Sequence, residues 1–193
     1  ALAPPLKVVD EAFGIVEFNM ITVHAHTADQ ALLDTLRPGA PLRGRAAGRH
    51  IVPTTTGAAK AIGEVLPESA GKGDGIALRV PVPNGSIVGF TAVVSRPTTK
   101  EEVNRILQEA AEGSLNGIMA YSEEDLVSGD ILGRAESSII AGKLTQVSKS
   151  GRLVTVWAWY DNEFGYANRV LDLVRLLREA APPTETAPTG LEE

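Results

Sequence analysis

The sequence predicts an α+β fold: a mostly antiparallel or mixed β-sheet with helices packed on one face. Three observations carry this. Strand-like segments neighbour each other along the chain and are joined by short Gly, Pro and Ser turns. Segments with a helical apolar period are interspersed among them. No break in composition splits the 193 residues into two cores, and a chain of this length can bury one substantial core.

The elements follow in order. Leu2, Leu6, Val9 and Phe13 fall on one helical face, and Gly14 suits the C-terminal cap. Ile15 to Val23 reads as a strand, with His24 at its far end. Residues 27 to 50 contain Pro38-Gly39 and the arginines Arg37, Arg43, Arg45 and Arg49, and read as a long ordered loop. A short helix is expected from about 57 to 66, a turn from Ala70 to Gly75, and strands near 75–82 and 86–95 around Pro83-Asn84-Gly85. Thr99 with Glu102 forms a capping box, and Val103, Ile106, Leu107 and Ala110 continue the helix to about 112. A β segment near 117–121 and a polar connection follow. Strands around Lys143–Val147 and Leu153–Trp159 are turned by Ser150-Gly151. The last helix runs from about 162 to 180, with Val170, Val174 and Leu177, flanked by Leu171 and Leu173, as its expected buried side. One domain is expected over 1–181, and a disordered Pro-, Thr- and Glu-rich tail over 182–193.

Composition excludes several classes. The net charge of −6 argues against nucleic acid as a bulk electrostatic partner. There is no apolar run of about 18 residues, so no membrane partner is expected. The N-terminus lacks the order of a secretory signal, and a cytoplasmic location is expected. Without cysteine, the chain itself holds no disulfide, thiolate metal site or thiol nucleophile.

The chemistry-bearing residues are few. In Pro53-Thr54-Thr55-Thr56-Gly57-Ala58-Ala59-Lys60, three hydroxyls and a glycine lead into helix formers. Thr55 or Thr56 can cap the helix, the glycine permits close approach to the backbone, and first-turn N–H groups favour an anion. The alternative is an ordinary capped helix. Arg79 sits among branched apolar strand residues, where a charge needs a partner: an internal carboxylate or a bound phosphate. His24 is either a satisfied structural histidine or a proton acceptor. His26 and His50 stand outside any motif, and the three histidines lack metal-ligand spacing. Gly71-Lys72-Gly73-Asp74-Gly75 is read as a flexible turn, because its spacing is not that of a dinucleotide loop and a strand follows.

Four segments together resemble the catalytic domain of phosphorylating glyceraldehyde-3-phosphate dehydrogenase. They are Ile21-Thr22-Val23-His24-Ala25-His26-Thr27, Pro53 to Lys60, Ile76 to Ser86, and Trp159-Tyr160-Asp161-Asn162-Glu163-Phe164-Gly165-Tyr166, in the family's order and separations. The resemblance covers roughly residues 1 to 178. It implies that His24 is the general base that activates a cysteine thiol. It implies that Thr27 and Arg79 hold the substrate's phosphate, and that Thr56, Gly57 and Arg43 hold inorganic phosphate. Asn162 would bond the nicotinamide carboxamide, and Tyr166 would pack near that ring. The loop 26–49 would lie along the cofactor and between subunits.

The departures are as informative. The family's nucleophilic cysteine belongs to an S-C-T-T-N stretch just before the segment opening here as Ala1-Leu2-Ala3-Pro4, and its Rossmann domain lies outside these residues. Ala1 stands where many members carry a second cysteine, Ala28 replaces a common Asn, and Gly89 a common Asp. The irregular loop 35–42 leaves NAD versus NADP open. The resemblance implies NAD or NADP in the complete enzyme and none bound to this chain alone, which is expected to be inactive. Its implied partners are a phosphorylated aldehyde, inorganic phosphate, and further copies of itself in a dimer or tetramer. Two alternatives stand beside the glycolytic reading: a stand-alone phosphate-binding or subunit-assembly module, and an erythrose-4-phosphate dehydrogenase catalytic domain.

Overall fold

The computed structural model describes residues 1–180, apart from the side chains of residues 59 and 60. The expected tail and the domain end at 181 lie outside the described residues. The α+β expectation holds. Eight strands form one mixed sheet: β1 Ile15–Ala25, β2 Val52–Thr55, β3 Gly73–Val80, β4 Ser86–Val94, β5 Met119–Ser122, β6 Ser138–Ala141, β7 Gln146–Val147 and β8 Leu153–Tyr160. Their order is β2-β3-β1-β4-β8-β6-β5, with β7 also on β8. β1 with β3, and β5 with β6, are parallel; the other pairs are antiparallel.

The helices are α1 Ala3–Phe13, α2 Ala58–Val65, α3 Lys100–Glu112 and α4 Phe164–Ala180. α1 ends at Gly14 with φ 69°, a left-handed conformation that glycine adopts without steric cost. α3 is capped as expected: Thr99 Oγ1 accepts the Glu102 N–H at 3.2 Å. The reciprocal arm of the capping box goes elsewhere, since Glu102 binds Thr98 and Arg96. Leu6, Val9 and Phe13 of α1 and Val103 and Leu107 of α3 bury against Phe18, Met20, Phe90, Ala92, Val154 and Val156 of the sheet. Cross-strand neighbours share a face, so these residues define the helix-covered side.

Several expectations are corrected. Pro53-Thr54-Thr55 is not a loop leading into the helix but part of β2, pairing with Ile76, Ala77 and Leu78. A single short edge strand of mixed polarity carries almost no periodic signal. Gly73-Asp74-Gly75 is strand, not turn; the turn is confined to Ala70, Gly71 and Lys72, with Gly71 at φ 74°. β6 lies inside the expected polar connection, and Gly142–Leu144 is a 3₁₀ turn rather than strand. The largest correction concerns α4. The expected buried side, Val170, Leu171, Leu173, Val174 and Leu177, is 43–63% exposed. An apolar period locates a face that prefers cover, but not what covers it.

Candidate functional site

The site forms at one end of the sheet, where β1 and β3 finish, β4 starts and β8 finishes. His24 pairs in register with Arg79, and Ser86 with Tyr160. Parity along the strands puts these four side chains, and Thr22, on the helix-bearing side but beyond the packed core. The Tyr160 hydroxyl meets Thr22 Oγ1 at 2.8 Å. Its ring stands edge-on to the His24 imidazole, with centroids 5.9 Å apart at 71°. Burial raises the Tyr160 phenol above its usual value, against its hydrogen bonds to Thr22 and Ser86 and the nearby Arg79 cation. Tyr160 is therefore a neutral wall that fixes the imidazole plane.

His24 Nδ1 lies 2.7 Å from Ala25 O. A carbonyl only accepts, so that contact calls for the Nδ1–H tautomer with Nε2 as the acceptor nitrogen, whereas Arg79 Nη1, which only donates, calls for the opposite tautomer. Arg79 Nη1 is 2.8 Å from the same Nδ1 and 3.3 Å from Ala25 O. The His24 pKa is lowered, first by burial and then by the Arg79 cation, against the bond to Ala25 O that raises it. The result is an imidazole that stays neutral near pH 7 and can take a proton.

Arg79 was expected to meet a carboxylate or a phosphate. Among the described residues no carboxylate pairs with it, and its Nε is buried without a hydrogen-bond partner. Burial lowers its pKa, and so does a second cation, Arg43. A guanidinium with an orphaned buried donor and a second cation acting on it suits an anion. Arg43 itself is ion-paired with Asp29.

Asn162 and Tyr166 line a cavity of about 300 Å³ together with His24, Tyr160, Asp161 and Arg169. Asn162 Oδ1 accepts from Ser86 Oγ at 2.9 Å and from Gly85 N at 3.2 Å. Thr56 and Arg43 line a different cleft, of about 640 Å³, with Pro53, Thr54, Thr55 and Ile76. Thr27 and Gly57 line neither. Thr27 O accepts the Gln30 N–H at 2.9 Å in the turn after β1.

The α2 terminus also differs from expectation. Thr55 belongs to β2 and does not cap; Thr56 Oγ1 accepts the Ala58 N–H at 3.2 Å. Gly57 has φ −78°, and a Cβ there would meet nothing within 4 Å, so its backbone conformation does not require glycine.

Sequence reasoning missed Asp161 and Ser86. Asp161 is 3% exposed and accepts four hydrogen bonds, from Glu163 N, Phe164 N, Gly133 N and Asn84 Nδ2. Burial works to raise its pKa, but these bonds hold it below the usual value. An Asp two or three residues before a helical run was the available signal. Ser86 gave none.

The family model for the glyceraldehyde 3-phosphate dehydrogenase C-terminal domain matches residues 1–162. Curated relatives include glyceraldehyde-3-phosphate dehydrogenase 2 of Trichormus variabilis, 52% identical over 178 residues, which are 92% of this chain and 52% of the relative. Glyceraldehyde-3-phosphate dehydrogenase of Geobacillus stearothermophilus is 54% identical over 173 residues, covering 89% and 51%. Glyceraldehyde-3-phosphate dehydrogenase 1 of Bacillus subtilis is 53% identical over 172 residues, covering 89% and 51%. The chain spans about half the length of the curated relatives it matches.

Proposed function

The chain belongs to the glyceraldehyde-3-phosphate dehydrogenase family as its C-terminal domain, and on that premise we propose that it supplies the base and the anion-binding groups for NAD(P)-dependent oxidative phosphorylation of glyceraldehyde 3-phosphate. The observation that carries the reading is the His24–Arg79 pair: a part-buried imidazole beside a guanidinium that has no carboxylate partner among the described residues.

In the complete protein, His24 Nε2 takes the proton of a cysteine thiol supplied from outside this chain. The imidazolium formed then stabilises the thiolate. Arg79, with Thr27, orients the substrate through its phosphate. Thr56, Gly57 and Arg43 seat the inorganic phosphate that attacks the acyl group. The dinucleotide, when bound, supplies the hydride acceptor. The residues present fit it: Asn162, whose Oδ1 is already engaged by Ser86 and Gly85, lines the 300 Å³ cavity with Tyr166. The product is 1,3-bisphosphoglycerate, a glycolytic intermediate, and the proposed location is cytoplasmic.

We also propose self-association through the uncovered side of the sheet. Ile76, Ile21, Gly89 and Trp157 make one continuous row across β3, β1, β4 and β8 there, and Ile21 and Ile76 are exposed. A symmetric dimer or tetramer would bury that row. Sedimentation of the chain at the 20.3 kDa monomer mass at micromolar concentration would refute this.

The experiment for the main reading uses the complete protein. Phosphate-dependent reduction of NAD+ or NADP+ with glyceraldehyde 3-phosphate is expected, with His24→Asn lowering kcat by about 10²–10⁴-fold. Full activity in His24→Asn would overturn it. Erythrose 4-phosphate in the same assay separates the related activity. The 193 residues alone are expected to show none.

A further inference from the structure

We infer that Ser86 is a positioning residue that decides which end of the Asn162 carboxamide faces the cavity, and so what ligand group the cavity accepts. The inference deepens the proposed function and rests on its placing of Asn162 against the nicotinamide carboxamide.

Ser86 opens β4 and is 1% exposed. Its oxygen accepts the Ala25 N–H at 3.1 Å, next to His24 on β1. Its own proton goes to Asn162 Oδ1, at 2.9 Å. The Gly85 N–H converges on that same atom at 3.2 Å. A backbone N–H can only donate, so the atom it meets is the carbonyl oxygen rather than the NH₂. The reversed carboxamide would set its NH₂ against the Gly85 N–H, donor to donor.

The NH₂ end is therefore the one left over. Nδ2 has no hydrogen-bond partner among the described residues, and Asn162 lines the cavity with His24, Tyr160 and Tyr166. A fixed donor at that point selects a ligand with a carbonyl oxygen. The same clamp holds the preceding residue: Asn84 Nδ2 donates to Asp161 Oδ2 at 3.0 Å. Three consecutive residues, Asn84, Gly85 and Ser86, thus grip two consecutive residues, Asp161 and Asn162. Ser86 is also the one link in that grip that reaches β1, so the donor and the histidine are held to a common frame.

The test uses the complete protein and steady-state kinetics with its nicotinamide dinucleotide and with the thionicotinamide analogue, whose sulfur is a poor acceptor. Ser86→Ala is expected to raise the KM for the dinucleotide about tenfold, the size of one lost net hydrogen bond. The preference over the thio analogue should fall by a similar factor, with the KM for the aldehyde unchanged. Ser86→Cys, which keeps the volume and a weak donor, should lie between. In an Asn162→Ala background, Ser86→Ala should add nothing, because it acts through Asn162. An unchanged dinucleotide KM and analogue ratio in Ser86→Ala would overturn the inference, as would full additivity in the double variant. If Ser86→Ala does not fold, an unchanged ratio in Ser86→Cys decides equally against it. Failure of the underlying reading looks different: Asn162→Ala would then leave the dinucleotide KM unchanged by itself.

Discussion

His24 and Arg79 are register partners on the parallel strands β1 and β3, and Arg79 Nη1 stands 2.8 Å from His24 Nδ1. A histidine and an arginine side by side on a sheet would repel if both were charged. A neutral imidazole avoids that repulsion, and its Nδ1 serves either as donor to Ala25 O or as acceptor from Arg79 Nη1, not as both at once. On the proposed reading, base and anion seat form one electrostatic unit: the Arg79 cation that would hold a phosphate also disfavours the imidazolium form of His24.

That unit predicts a pH dependence. The folded-state pKa of His24 lies below its ordinary 6.5, by burial first and Arg79 second. As pH falls through 6.5 the unfolded chain binds the proton before the folded one does, so this contribution to stability is present at higher pH and lost on acidification. Denaturant unfolding between about pH 7.5 and 5 should show a loss of stability that is smaller in His24→Gln. Proton NMR of Arg79→Gln should show the His24 pKa moved upward, and the nitrogen shifts of the parent should report the Nδ1–H tautomer. The Nε2–H tautomer would remove His24 as a base.

Arg79 also predicts an affinity. Inorganic phosphate should bind the chain, and Arg79→Ala should weaken it by about tenfold or more, since a charge-assisted hydrogen bond contributes about 1.5–3 kcal/mol. Titration calorimetry reads this directly. Equal affinity in both proteins would take Arg79 out of the anion site.

The contrast between what was legible in the sequence and what was not has a physical pattern. α1 and α3 were readable because apolar period, cap and terminator agree: Leu6, Val9 and Phe13 before Gly14, and Thr99 before Val103 and Leu107. His24 and Arg79 were readable separately, yet their pairing depends on β1 and β3 being parallel neighbours, with His26 to Lys72 intervening in the chain. β2 and β6 were hidden because four residues hold too few periods to outweigh Pro53 in β2 and the polar run that leads into β6, whereas the equally short β5 was read. The α4 face was read correctly as apolar but wrongly as covered, since cover is a property of the surroundings and not of the helix.

Gly89, found where the family commonly has Asp, has a clear neighbour. A Cβ built on it would meet the Trp157 ring at 2.5 Å, and the two residues are register partners on β4 and β8. The indole lies over the glycine on the uncovered side, the arrangement in which an aromatic shields a strand glycine. Gly89→Asp should expel the ring from that position. A red shift and stronger quenching of Trp emission, absent in a Trp157→Phe background, would report it; an unchanged spectrum would mean that the ring does not rest there.

Asp161 combines two structural duties in one side chain. Its Oδ1 receives the Glu163 and Phe164 N–H groups that open α4, at 2.9 and 2.8 Å, while Oδ2 receives Gly133 N and Asn84 Nδ2. α4 has little other anchorage, because its apolar side is exposed. Asp161→Ala should therefore leave buried N–H groups unpaired and cost about 2–4 kcal/mol, the combined effect of a lost helix cap and an orphaned buried donor. Because the folded pKa of Asp161 lies below its ordinary 3.8, its contribution is present at neutral pH and lost only as pH falls below that value. Urea unfolding of Asp161→Ala at pH 7 checks the first claim. Faster amide exchange at Phe164 to Ala167 would show that the loss begins at the start of α4, whereas unaltered exchange there would mean that the cap does not hold the helix.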